Sequence, residues 1–174
     1  MQETPEQYKQ RILGYMEGKK PLAIQKETAK KLQRFIKPLS RKQLMTRPAP
    51  GKWSIAEILA HLADTELVAG WRMRLILGSN GAPVHAFDQD VWAEKFNYAR
   101  HDPKASFETF RLLRQNNLDL LSSVPKNLWE NYGMHQERGK ETIAQIVRMF
   151  AGHDLNHLGQ VEKIAKETRK GNRR

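Results

Sequence analysis

An apolar stripe with a helical period, near the end of the chain, constrains the fold more than any other feature of the sequence. Between residues 143 and 164 its members recur at steps of three or four, which places them on one face of a long helix. The stripe includes two histidines and consists of Ile143, Ile146, Phe150, His153, His157, Val161 and Ile164. A neutral imidazole in a core leaves a ring N–H and a lone pair to satisfy. Two in succession therefore require hydrogen-bond partners or a metal ion.

Three further segments carry the same helical period and bring the number of predicted bundle helices to four. One amphipathic helix is predicted over residues 21–39, with apolar residues on one side and basic residues on the other. A second, over about residues 54–78, begins at the capping-box pair Ser54 and Glu57. A third begins at Pro103, because proline suits the first turn of a helix.

The segments between these helices contain no strand-like alternation longer than a few residues, so no sheet is predicted. A short additional helix is predicted over residues 5–17, and residues 84–101 form a long crossover with a short helix near residues 89–96. We therefore predict an all-α fold, a four-helix bundle with a long crossover between the second and third bundle helices. Residues 1–174 form a single domain in this prediction, with a basic tail at about residues 166–174.

Composition excludes several kinds of chemistry. The chain has no cysteine, which excludes disulfides, thiolate metal ligands and a cysteine nucleophile.

The net charge of +11 is unevenly distributed along the chain: residues 1–50 carry +8 and residues 161–174 carry +4, whereas residues 51–160 are near neutral at −1. Because no nucleic-acid-binding motif accompanies the basic ends, we do not expect a nucleic-acid partner. With no membrane-length apolar segment and no signal-peptide pattern, we expect a cytoplasmic protein.

A third histidine, His61, flanks the apolar face of the second bundle helix. His153 and His157 are one helical turn apart, so both imidazoles can reach one metal ion. If the second and fourth bundle helices are neighbours, His61 faces this pair across the core, and the three nitrogens leave an open coordination position. Satisfied core histidines are the alternative at this point, since the spacing His-x-x-x-His also arises by chance.

A resemblance to a known family is carried by GKWSIAEILAHLADTE at residues 51–66, FDQDVWAEKFNY at residues 87–98 and HDLNHLGQVEKI at residues 153–164. Over about residues 5–165 the chain resembles the DinB-like superfamily of metal-binding four-helix bundles, most closely its DinB_2 branch. In that family one histidine of the second helix and an H-x-x-x-H pair of the last helix bind a divalent metal.

The resemblance implies a divalent-metal site formed by His61, His153 and His157, with zinc or nickel as the expected ion. It also implies a metal-dependent enzyme that activates water for hydrolysis, or a thiol for transfer, on a small molecule. The expected partner is therefore a small-molecule substrate, with a low-molecular-weight thiol as one option. A homodimer is expected from the resemblance alone.

Two carboxylates are candidate catalytic residues. Glu57 lies one turn before His61 and could contact a metal-bound water, although its capping-box position explains it as well. Asp88 matches a position at which the family often has aspartate, where it would line the pocket or orient a ligand histidine. Capping of the short crossover helix is the equal alternative for Asp88.

Other charged residues give weaker signals. Asp154 points about 100° away from the ligand pair and is predicted to be solvated or to support a ligand. The arginines of the long helices either meet an anionic substrate or are surface cations: Arg72, Arg74, Arg111 and Arg114.

A hypothesis from another functional class is a non-catalytic, stress-related binding protein. Its histidines would be structural, and the basic ends of the chain would contact an anionic partner. The enzyme hypothesis predicts bound metal in the purified protein, whereas the binding hypothesis predicts a salt-sensitive complex with the anionic partner.

Overall fold

N-terminal capping residues define where several helices begin. The computed structural model describes residues 3–171, and four capping boxes form in it, at Thr4, Ser40, Ser54 and Thr142, each with the side chain three residues later. Proline occupies the first turn of three helices, where its missing N–H would have had no partner within the helix.

The described part of the chain contains seven α-helices and three short strands. The helices are α1 (Pro5–Gly14), α2 (Pro21–Ile36), α3 (Arg41–Met45), α4 (Ile55–Gly78), α5 (Gln89–Lys95), α6 (Pro103–Ser123) and α7 (Ile143–Gly171). The strands are β1 (Ala82–Val84), β2 (Tyr132–His135) and β3 (Gly139–Thr142), and 3-10 turns lie at Tyr98–Arg100 and Lys126–Glu130. None of the described helices combines the length with the apolar composition that a bilayer crossing requires.

Helices α2, α4, α6 and α7 form the four-helix bundle predicted from the sequence. Helix α4 packs along α6, and α2 packs along α7. Two apolar clusters fill the bundle, one on each side of a layer of charged residues. Along α4 and α6 the cluster around Phe110 comes before this layer, whereas along α2 and α7 it comes after. Helices α4 and α6 are therefore parallel to each other and antiparallel to α2 and α7.

The parallel direction of α4 and α6 explains the long crossover. A tight turn cannot join parallel neighbours, because the chain must return along the length of the bundle before the second helix starts. Residues 79–102 make this return and contain β1, α5 and a 3-10 turn. Helix α5 lies where the short crossover helix was predicted.

A small three-stranded sheet, which the sequence pattern does not reveal, lies at one end of the otherwise helical bundle. Strand β1 pairs in parallel with β2, with Ala82 opposite Gly133, and β2 pairs in antiparallel fashion with β3, with His135 opposite Gly139. These strands have three or four residues, which is too few for an alternating pattern to be recognised in the sequence. Their pairing also joins the crossover to a distant segment, so no local signal reveals it.

The predicted basic tail is helical as far as it is described. Helix α7 continues to Gly171, so Lys166, Arg169 and Lys170 belong to a helix. Residues 172–174, also assigned to the tail, lie outside the described residues.

A buried ion-pair network forms the charged layer of the bundle. The Arg114 guanidinium on α6 donates to the carboxylates of Glu66 on α4 (2.8 Å) and Asp154 on α7 (2.9 Å). The Thr28 hydroxyl on α2 donates to Asp154 (2.8 Å), and the Asn117 amide donates to Glu66 (2.8 Å). The network thus links all four bundle helices.

These contacts correct two expectations from the sequence. Asp154 is 1% exposed, so it is not solvated, and Arg114 is 3% exposed, so it is not a surface cation. Helical periodicity places Asp154 correctly to one side of the histidine pair. It does not show that α2 and α6 cover that side of α7.

Arg114→Ala is expected to destabilise the fold by about 3–5 kcal/mol, because it leaves two buried carboxylates without their counter-charge. Urea unfolding followed by circular dichroism measures the change. The control Arg111→Ala removes an arginine of the same helix whose partner is the exposed Glu108, and this should cost less than about 1 kcal/mol. Equal losses in the two variants would contradict the structural role of the network.

Helix α1 lies against α7 at Gly152. A Cβ added to this glycine would lie 2.3 Å from the carbonyl oxygen of Ile12, so the close approach requires glycine. One turn further along α7, Asn156 accepts a hydrogen bond from Arg11 (3.0 Å). These contacts hold α1 beside the part of α7 that carries the two histidines.

Gly152→Ala should destabilise the protein by about 1–3 kcal/mol, because the added methyl group has to push the backbone of α1 away. The matched control is Gly159→Ala on the same helix, where no atom lies within 4 Å of the added Cβ. There the better helix propensity of alanine should stabilise the protein by up to about 1 kcal/mol. Thermal unfolding compares the two variants, and a neutral Gly152→Ala would rule out the close packing.

Candidate metal centre

Three histidines from two bundle helices converge in the interior of the protein. His61 on α4 and His153 and His157 on α7 are each at most 6% exposed. The Nε2 atom of His153 lies 3.0 Å from Nε2 of His61 and 3.1 Å from Nε2 of His157. The structure therefore brings together the three residues that the sequence analysis selected, with one potential ligand atom of each ring within 4.8 Å of the others.

Helix geometry and local packing explain this arrangement. The four-residue spacing puts His153 and His157 on one face of α7, and the neighbouring α4 presents His61 to that face. The indole of Trp53 packs on the His61 ring with 5.0 Å between centroids. The Thr65 hydroxyl lies 3.4 Å from both nitrogens of the same ring. Both neighbours limit how the His61 ring can turn.

Gln160 fixes the tautomer of His157. Since Oε1 of Gln160 can only accept, the 2.8 Å contact places the imidazole proton on Nδ1 of His157. The lone pair of His157 is then on Nε2 and faces the other two rings. A hydrogen bond of this kind is the usual device that orients a metal-binding histidine.

Burial keeps the three imidazoles neutral at neutral pH. It lowers the pKa of His157 to about 4, an effect that the hydrogen bond to Gln160 partly offsets. The pKa values of His61 and His153 are also well below the usual range, first because of burial and then because of the neighbouring histidines. Neutral imidazole is the form that binds metal ions.

The donor set fits a divalent metal ion. Lone pairs facing each other at about 3 Å repel unless a proton or a cation lies between them. Two nitrogens bound at 2.0–2.1 Å in a tetrahedral site are roughly 3.3 Å apart, close to the 3.0 and 3.1 Å observed between the histidine nitrogens. Imidazole suits zinc, nickel, copper and iron, so the donor set alone does not select one of them.

Two adjoining cavities reach the histidine triad. One, of about 610 Å³, is lined by His157, and the other, of about 400 Å³, is lined by His61 and His153. They share three lining residues from α1 and α5: Tyr8, Gln89 and Asp90. Each cavity has the volume of a small-molecule site.

The two candidate catalytic carboxylates are both engaged in helix capping. Glu57 accepts hydrogen bonds from the backbone and side chain of Ser54 (both 2.8 Å) and from the Arg47 guanidinium. Asp88 caps α5, accepting from the backbone of Asp90 (2.8 Å) and Val91 (3.1 Å). The capping alternatives are thus observed. Neither carboxylate is among the residues that line the two cavities, and a catalytic role for either stays a prediction.

The sequence assigned no role to Tyr8 and left Arg72 as either a contact for an anionic substrate or a surface cation, yet both line the cavities. Tyr8 lines both cavities, and Arg72 lines the one that His61 and His153 share. Arg72 follows His61 by eleven residues, which is about three helical turns, so its position on the same face of α4 could have been recognised. Tyr8 could not, since no sequence pattern shows that α1 covers the site.

The sequence matches a family model and is similar to several named proteins. A family model described as the DinB superfamily (DinB_2) matches residues 25–161. The chain is 24% identical over 135 residues to a protein of Oceanobacillus iheyensis and to one of Bacillus cereus, and each match covers 78% of both chains. Both relatives are named "Putative metal-dependent hydrolase".

The fold is similar to that of a solved structure, YfiT from Bacillus subtilis. The two superimpose with a TM-score of 0.78 at 18% sequence identity, covering 94% of this chain and 89% of YfiT. YfiT is described as "a probable metal-dependent hydrolase with an unusual four-helix bundle topology". At this identity the likeness establishes the fold alone. Because the family model spans most of the sequence, the chain belongs to the DinB superfamily.

Proposed function

We propose that this protein is a metal-dependent hydrolase of small molecules whose divalent ion is bound by His61, His153 and His157. The observation that carries the proposal is the convergence of three neutral imidazoles at the edge of two cavities. Nε2 of His153 lies 3.0 Å from that of His61 and 3.1 Å from that of His157. The names of the relatives from Oceanobacillus iheyensis and Bacillus cereus support the hydrolase class.

A divalent ion on three imidazoles supplies Lewis-acid chemistry, which lowers the pKa of water and polarises a carbonyl or phosphoryl oxygen. The chain's own residues prepare the site for it. Gln160 holds the His157 proton on Nδ1 and keeps Nε2 free to bind. Trp53 shields the His61 ring from water on one side, and the two cavities admit a small molecule to the triad.

Zinc and nickel are the proposed ions, as the family resemblance implies, and the three imidazoles suit both. A cytoplasmic location, a homodimer and a thiol partner stay predictions.

His157→Ala should abolish stoichiometric metal binding, lowering the affinity by more than about 100-fold, because it removes one of three ligands. Metal content of the protein purified without a histidine tag, measured by plasma mass spectrometry after zinc or nickel loading, provides the readout. The control His101→Ala removes a loop histidine that contacts the Phe96 carbonyl oxygen, and it should retain one ion per chain.

Activity tests the reaction class. The loaded protein is expected to hydrolyse ester or phosphoester probes such as p-nitrophenyl acetate and p-nitrophenyl phosphate, and to lose this activity with a chelator or with His157→Ala. A parallel assay offers a thiol together with an electrophilic aryl halide. Chelator-sensitive thiol transfer without hydrolysis would replace the hydrolase proposal, and wild-type protein that binds no metal would refute it.

Gln160→Leu should weaken metal binding by about 10–100-fold while leaving the fold intact, because His157 loses the acceptor that fixes its tautomer. Competition with a coloured chelator measures the affinity. The matched control is Gln115→Leu, which removes an exposed glutamine that contacts Asp119 on α6. Unchanged affinity in Gln160→Leu would show that Gln160 does not orient the ligand.

A further inference from the structure

Two arginines among residues 3–171 are buried, and one of the two has carboxylate partners. Arg114, 3% exposed, is paired with Glu66 and Asp154. Arg72 is 6% exposed, and no carboxylate of the described residues lies within 4.0 Å of its guanidinium nitrogens. A buried charge without a counter-charge is costly. Arg72 therefore lacks the direct ion pairs that Arg114 forms.

The contacts of Arg72 leave most of its donors unused. One guanidinium nitrogen donates to the carbonyl oxygen of His85 (2.6 Å), and the guanidinium carbon lies 5.6 Å from the centre of the Phe87 ring. A guanidinium has five N–H groups. Burial and the neighbouring Arg138 lower the pKa of Arg72 to about 10, so the side chain is still charged at neutral pH.

The acidic residues around the 400 Å³ cavity, which Arg72 also lines, form no ion pair with Arg72, and Glu141 and Glu137 attract it only from beyond ion-pair distance. Glu141 forms a two-point ion pair with Arg138 (2.7 and 2.9 Å), and Glu3 forms one with Arg11 (2.8 and 2.9 Å). Glu137 and Asp90 are the other two carboxylates near it, and both side chains are exposed to solvent at its rim.

The cavity connects Arg72 to the metal centre. Arg72 lines the space of about 400 Å³ that is also lined by His61, Thr65 and His153. His61, Thr65 and Arg72 lie on one face of α4, at steps of four and seven residues. The same cavity therefore gives a small molecule access to both the triad and the guanidinium.

We propose that Arg72 binds an anionic group, a carboxylate or a phosphate, of the molecule on which the metal centre acts. The substrate is then a small organic anion. This inference rests on the proposed metal-dependent function for its reaction, although the anion site itself is built from residues outside the triad. The planar fork of arginine matches two oxygens of a carboxylate or phosphate, which gives both attraction and orientation.

The test measures anion binding separately from metal chemistry. Wild-type protein, treated with a chelator, is titrated by calorimetry with malonate and with inorganic phosphate at low ionic strength. We expect at least one probe to bind, and the stronger of the two identifies the class of anion. Arg72→Gln should bind it about 10–100-fold more weakly, the loss of a charge-assisted hydrogen-bonded contact. Arg72→Lys should recover part of the affinity, since it restores the charge without the fork.

The matched control is Arg74→Gln on the same helix. Arg74 is exposed, bonds to Asn116 and Asn117, and lines neither cavity, so its loss should leave the affinity for both probes unchanged. Circular dichroism and the metal content of each variant show whether the fold and the triad are intact.

The outcomes separate the two proposals. If all variants bind metal, and wild type and Arg72→Gln bind both probes with equal affinity, the inference is overturned and the hydrolase proposal stands. Absence of binding of either probe to the wild type also overturns the inference. If Arg72→Gln loses affinity for the probe and the wild type binds no metal, the anion site is supported and the proposed function is overturned.

Discussion

The Arg114 guanidinium determines how the helices of this bundle are aligned along their axes. It bonds to Glu66 on α4 and to Asp154 on α7, and sliding either helix would leave a buried carboxylate without a partner. His61 lies on the turn of α4 before Glu66, and His153 adjoins Asp154. Because the ion pairs fix the relative height of α4 and α7, they also fix the height at which His61 meets His153. The candidate metal centre depends on a network that contains none of its ligands.

The parallel course of α4 and α6 has a second consequence for the site. It forces a connection that runs the length of the bundle, and this connection contributes a wall of both cavities through Gln89 and Asp90. The same segment carries the His85 carbonyl oxygen and the Phe87 ring that hold Arg72 in place. The topology of the bundle and the shape of the candidate active site thus have one origin.

The sequence could predict a large part of this protein because the relevant signals are local. A period near 3.6 residues identified the four bundle helices, and the pair Ser54 and Glu57 marked the start of α4. The four-residue spacing of His153 and His157 placed both on one face of a helix. Strands of three or four residues gave no comparable signal, since their stability comes from pairing with distant segments.

The sequence by itself determined the four bundle helices, the capping box that begins α4 and which histidines could share an ion. Only the tertiary structure decided that Asp154 and Arg114 are buried partners, and that Arg72 lines a cavity of the triad without an ion-pair partner among the described residues. The physical reason is that periodicity reports the face on which a side chain lies. Burial, ion pairing and access to a cavity depend on which other helix covers that face, and this is settled only when distant segments pack together.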